Sequence, residues 1–256
     1  MAGHSKWANI KRRKGAQDAK RGKIFTKLIK EITVAVKTGG GPDPETNPRL
    51  RLAVQNARGE NMPNNNIDRA IKKAAGDEGG NYTELTYEGY GPDGVAIFVE
   101  CATDNNTRTV GNVRSYFNKY GGNLGKDGCL EFFFDQKGVF IIENVENKGF
   151  DEDEMTLELI EGGAEEVEFD EEWITITTEK EEFGNMQKKL QDMGIEPKEA
   201  GLQRIATTLK SISKESFPTF MKLIEALEDD DDVQKVYHNV EYDESLVRRS
   251  LGEGGL

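Results

Sequence analysis

The spacing of apolar residues divides the chain into a helical opening stretch and a mixed remainder. Between Asp18 and Lys37, the residues Phe25, Leu28, Ile29, Ile32 and Val36 recur with the helical period and share one face. Lys20, Lys23, Lys27 and Lys30 keep that period about opposite the apolar stripe. The pattern therefore predicts a helix with one packing face and one face of cations. Gly39 to Pro44 breaks it with a loop, and Asn47-Pro48 then supplies an N-cap followed by proline at the first helical position. Leu50, Ala53, Val54 and Ala57 are the buried side of that second helix. Pro63 and Asn64 to Asn66 open a third, with Ile67, Ala70, Ile71 and Ala74 inward, Arg69, Lys72 and Lys73 outward, and Gly76 as its stop.

Beyond an Asp/Gly-rich joint at 77–81 the period shortens toward that of strands. Glu84 to Tyr90 and Val95 to Ala102 read as strands joined through the turn residues Gly91-Pro92-Asp93-Gly94. A helix over Thr107 to Tyr120 and a strand over Cys129 to Phe134 follow. Strands are then expected at 138–144, 165–169, 173–178 and 197–205, with helices at 153–161 and 181–193. This run spells β-α-β-β-α-β, the split βαβ order of a ferredoxin-like sandwich. A helix at 215–227 and a strand at 233–241 close the pattern.

The fold class expected is α+β: a basic helical N-terminal domain (1–77), then two ferredoxin-like-type domains, one inserted in the other. The outer domain is discontinuous, 78–135 plus 206–245; the inner covers 136–205, and 246–256 is a tail.

Charge adds a partner to this picture. Residues 1–76 hold 17 Lys/Arg against 6 Asp/Glu, a net of +11, whereas the remainder carries −24 within a chain of net −13. A basic head on an acidic body points to a polyanion, most often nucleic acid, met at one end only. The expected phosphate contacts are Lys6, Lys11, Arg12, Arg13 and Lys14 of a basic arm, and Lys20, Arg21, Lys23, Lys27 and Lys30 of the first helix. Arg69, Lys72 and Lys73 are second in rank. Trp7, among the arm cations, is a candidate to stack on an unpaired base. The bland alternative is a solvated cationic surface, or an arm that binds acidic protein, this chain's own body included.

Other chemistry is not supported. Gly89, Gly91 and Gly94 fit G-x-G-x-x-G in letters but lead into a strand rather than a helix, so a turn is the better reading. Gly121 to Lys126 lacks the Ser or Thr of a phosphate-binding loop. The acidic runs at 151–154, 165–172 and 228–232 lack calcium-loop spacing. With His4 and His238 as the sole histidines and Cys101 and Cys129 read as two buried thiols, no metal site, cofactor or catalytic set is expected. Nor is a small-molecule substrate. No stretch reaches the roughly 18 apolar residues of a membrane span, and the cytoplasm is the expected location.

Several segments resemble the YebC/PmpR family: Met1 to Asn9, Lys20 to Lys27, Gly39 to Pro44, Asn47 to Arg51, Asn61-Met62-Pro63, Tyr87 to Pro92, Gly121 to Gly125 and Asp231 to Asn239. The chain departs at Ile205-Ala206-Thr207, where the family often has a proline. The resemblance implies a helical N-terminal domain, two α+β domains and a non-enzymatic, cytoplasmic regulator of gene expression. DNA-binding transcriptional regulation is the activity it implies first. An RNA-binding translation factor at the ribosome is the alternative, since some relatives are described so. A protein partner held by the acidic α+β domains is the third class of reading.

Overall fold

The structure is a computed structural model that describes residues 18–76, 80–144, 151–170 and 172–241. It is α+β, with a helical first part and two four-stranded sheets. The chain separates into two compact units: residues 1–34, 80–135 and 205–256 in one, and 35–79 and 136–204 in the other. The first helix, α1 (Asp18–Thr38), contributes to the first unit through Val34 and to the second with its last turn.

In the first unit, β1 (Thr83–Tyr90) and β2 (Ala96–Thr103) form an antiparallel hairpin with Thr83 opposite Thr103 and Tyr90 opposite Ala96. The two-residue β3 (Asn123–Leu124) joins β1 on one side and β8 (Val233–His238) joins β2 on the other, both antiparallel, in the order β3-β1-β2-β8. β2 reads as a nearly unbroken apolar run because both of its faces are covered. Ile97, Val99 and Cys101 pack against Val113 and Phe117 of α4 (Asn106–Lys119) and Phe220, Leu223, Ile224 and Leu227 of α7 (Phe217–Asp229). Ala96 and Phe98, pointing the other way, meet Leu130, Phe134 and Tyr237.

The glycines of the hairpin have structural work. A Cβ on Gly89 would come within 2.6 Å of the Phe117 ring and 2.7 Å of the Asn123 carbonyl, so α4 and β3 can close on the strand only over a glycine. Asp93 and Gly94 take left-handed angles (φ 56° and 74°) in the turn. The Asp93 carboxylate accepts from the Ser213 N–H and the Ser216 hydroxyl, each at 2.8 Å, fixing the approach to α7.

The second unit contains the β-α-β-β-α-β run: β4 (Phe134–Glu143), α5 (Glu152–Glu161), β5 (Ala164–Phe169), β6 (Trp173–Glu179), α6 (Phe183–Asp192) and β7 (Glu199–Ala206). Its strand order, β5-β6-β4-β7, is the ferredoxin-like one. Phe140, Ile142, Ile174 and Ile176 on the sheet pack against Met155 and Leu159 of α5 and Met186 and Leu190 of α6. α2 (Pro48–Gly59) and α3 (Asn64–Ala75) belong to this unit. Asn47 caps α2 as expected, its Oδ1 accepting from the Leu50 N–H at 3.0 Å. Its Nδ2 donates to the carbonyls of Ala35 and Gly41, both at 2.8 Å, which ties the glycine loop down. Asn56 of α2 reaches β7, pairing its amide with the Ala200 N–H (2.9 Å) and carbonyl (2.8 Å) as a neighbouring strand would.

Two expectations are corrected. Cys129 to Phe134 is not a strand: a 3-10 turn spans Glu131–Phe133 and β4 starts at Phe134, running unbroken through Gly138. The cause is Glu88, whose carboxylate takes the N–H groups of Gly128 and Leu130 and bends the backbone away from a ladder. Cys101 is buried, with its thiol pushed up to about 12 chiefly by desolvation, but Cys129 is only half-buried.

Candidate nucleic-acid interface

The lysine stripe of α1 meets the end of α7. Lys23 Nζ lies 2.9 Å from the Asp229 carboxylate, Lys27 donates to the Glu228 carbonyl at 2.7 Å, and Lys30 donates to the Asp231 carbonyl at 2.7 Å. Helix α7 ends in acidic residues, on top of the partial negative charge that carbonyls leave at a helix C-terminus. Three ammonium groups offset that accumulation. The stripe thus keeps its predicted spacing, but its cations are not all presented to solvent. Lys30 in particular is 7% exposed, which corrects the expectation of an outward side chain.

Lys30 shares its anchor with α4. The Asp232 carboxylate accepts from Lys30 at 3.1 Å, from Arg108 Nε and Nη2 at 3.0 and 2.7 Å, and from the Thr109 hydroxyl at 3.0 Å. Desolvation pushes this carboxyl up, but the hydrogen bonds from Arg108, Lys30 and Thr109 together outweigh it and hold the pKa below the ordinary value. Asp230 beside it accepts from Asn112 (3.0 Å) and the Tyr116 hydroxyl (2.9 Å). Burial first, and that carboxylate second, push the Tyr116 phenol up to about 12. The loop 230–232 is a hub for buried charge in which Asp230 and Asp232 are each met by donors.

Helix α3 is different. Arg69, Lys72 and Lys73 are exposed on its outer face while Ile67, Ala70 and Ala74 are buried beneath them. None of the three has an ion pair among the described residues. Arg58, in the last turn of α2, is likewise exposed and unpaired among them. Arg58 is not among the contacts expected from the sequence, although its place one residue after the buried Ala57 carries the signal. Arg51 is committed to the Pro44 and Glu45 carbonyls, both at 3.0 Å.

The expected contacts Lys6, Trp7, Lys11, Arg12, Arg13 and Lys14 lie outside the described residues, as do the side chains of Lys20 and Arg21. No cluster of three or more His, Cys, Asp or Glu suited to a metal occurs among the described residues. Among them, too, no helix is long and apolar enough to cross a membrane.

A helical part followed by two antiparallel four-stranded sheets, one of them ferredoxin-like, defines an α+β protein. The sequence profile of the TACO1/YebC protein N-terminal domain matches residues 5–77, and that of the TACO1/YebC second and third domain matches residues 82–240. The chain belongs to the TACO1/YebC family. It is 55% identical over 242 residues to a "Probable transcriptional regulatory protein" of Amoebophilus asiaticus, a match covering 94% of this chain and 98% of that one. A protein of the same description from a Geobacillus species is 53% identical over 248 residues, covering 96% and 99%. The crystal structure of a conserved hypothetical protein from Aquifex aeolicus superposes with a TM-score of 0.80 at 44% identity, covering 89% of this chain and 93% of that one.

Proposed function

We propose that this chain is a nucleic-acid-binding regulator of gene expression that grips phosphates with the outer face of α3 and with its basic arm. One observation carries the reading: Arg69, Lys72 and Lys73 are exposed on one helix face without acidic partners among the described residues. The α1 lysines, by contrast, are largely engaged by the chain itself. Ammonium and guanidinium groups presented in a row displace counterions from a phosphate backbone, which gives affinity without reading base sequence.

On this reading, residues 1–77 are the binding head. The discontinuous 78–135 plus 206–245 domain and the inserted 136–205 domain carry the chain's excess of Asp and Glu, which disfavours phosphate contact there. DNA is the target placed first, because the relatives are named as probable transcriptional regulators. The site of action is the cytoplasm, and no catalytic step, cofactor or metal enters the mechanism.

The test is a titration of labelled duplex DNA and of ribosomal RNA fragments at several salt concentrations. The wild-type chain is compared with Arg69→Gln/Lys72→Gln/Lys73→Gln. The triple variant should bind more weakly, with a log–log salt slope shallower by about 0.9 for each DNA phosphate that the side chains no longer neutralise. An unchanged slope would remove α3 from the interface. Tighter binding of the RNA at equal salt would replace DNA by RNA as the target.

A further inference from the structure

The turn between β3 and β4 holds a side chain that the nucleic-acid reading does not use. Phe132 is 89% exposed, while Leu130 and Phe134 on either side of it are buried. In a continuous strand, residues 130, 132 and 134 would share one face. The 3-10 turn over Glu131–Phe133 rotates the middle ring out instead.

The backbone that carries this ring is pinned from several directions. The Glu88 carboxylate accepts from the Gly128 and Leu130 N–H groups, and the Phe133 N–H donates to the Leu130 carbonyl at 2.9 Å. From the far side, Thr207 donates its N–H to the Phe133 carbonyl (3.0 Å) and its hydroxyl to the Phe132 carbonyl (3.1 Å). A ring projected from so constrained a turn loses little backbone freedom when it docks. Aromatic anchors of this kind dominate the energetics of protein interfaces.

The surroundings select the partner. Asp127, Glu131 and Asp135 are exposed and unpaired among the described residues, and within the segment 126–135 they outnumber its one cation, Lys126. Such a rim repels phosphates, so stacking on a nucleobase is disfavoured. It complements a surface that carries Lys and Arg. We propose that the Phe132 turn is a protein-docking anchor, the ring entering an apolar pocket of a partner protein whose rim is cationic. This contact is independent of the α3 interface, so either can fail without the other.

The experiment places p-benzoylphenylalanine at position 132 of the full chain, irradiates living cells and maps the adducts by peptide mass. The expected result is a nuclease-resistant adduct to one protein, mapped to an apolar pocket flanked by Lys or Arg. The adduct should fall about tenfold when Asp127, Glu131 and Asp135 are changed to Lys. A nuclease-sensitive adduct overturns the proposal. So does a yield no higher than from the same probe at the exposed Thr208, or one that persists after charge reversal. Phe132→Ala must also melt with the wild-type chain; a lowered melting temperature would make the ring a structural element instead.

Discussion

The ammonium of Lys30 lies 3.1 Å from the carboxylate of Asp232 across 202 residues of sequence, and both side chains are almost wholly removed from solvent. A cation that looks free in the sequence is thus part of the packed interior. Because Asp232 also holds Arg108 and Thr109, losing one partner is not the same as losing the other. Lys30→Met removes the bonds to Asp232 and to the Asp231 carbonyl but leaves Asp232 held by Arg108 and Thr109, and should cost about 1.5–3 kcal/mol. Asp232→Ala strands Lys30 beside Arg108 and should cost about 3–5 kcal/mol. Urea unfolding at neutral pH ranks the two, and the reverse order would contradict the hub.

The same carboxylate sets an acid limit on stability. Its folded-state pKa is held below the unfolded value, so the folded state binds fewer protons. The stabilisation is complete above the ordinary Asp pKa of about 3.9 and disappears as pH falls through the lower folded value. Well above that ordinary pKa the wild-type chain should therefore exceed Asp232→Asn in stability by a constant margin. Below it the two curves should converge. Parallel curves over that range would assign the acid sensitivity elsewhere.

The lysines at the end of α7 and the cations of α3 should respond differently to neutralisation. Lys23→Gln/Lys27→Gln removes charges that offset the Glu228–Asp229 end of the helix, contacts worth about 0.3–1 kcal/mol each for partly exposed groups. A small drop in melting temperature is expected, with a salt slope for DNA binding that stays within error. If the slope drops as far as in the α3 triple variant, the lysines leave α7 when nucleic acid binds.

Asn56 gives a prediction for the second unit. Its amide satisfies both backbone groups of Ala200 on the outer side of β7, at 2.8 and 2.9 Å. Asn56→Ala leaves an N–H and a carbonyl of the edge strand without these partners, at about 1–3 kcal/mol in all. Amide hydrogen exchange at Ala200 reports the change directly. Protection equal to wild type at that one amide would mean that something other than Asn56 covers the edge.

Local chemistry was legible in the sequence wherever a few neighbouring residues decide the outcome. Asn47-Pro48 announces α2, Gly91 to Gly94 announces the hairpin turn, and the alternation of periods announces the ferredoxin-like run. Strand order follows once element order is right. What neighbours cannot reveal is a bond to a remote residue. The helical period places Lys30 opposite Ile32 and its companions, yet only the folded chain brings Asp232 to it. Likewise Phe132 sits in a triplet of phenylalanines that alternation would bury, and it is Glu88, 42 residues before Leu130, that turns it outward. Asn56 is one polar residue on a helix until β7 arrives beside it.

That arrival has a schedule. The second unit draws on residues 35–79 and 136–204, and Asn56 waits 144 residues for Ala200. At synthesis rates of about 5–20 residues per second, α2 is exposed for roughly 7–30 seconds before its strand partner exists. Lys30 waits longer still. Neither unit can be completed from a nascent chain that stops before residue 204, so the basic helices are made first and closed last. During that interval the lysines of α1 and the apolar faces of these helices are open to whatever surrounds a growing chain, and a truncated product would keep them open permanently.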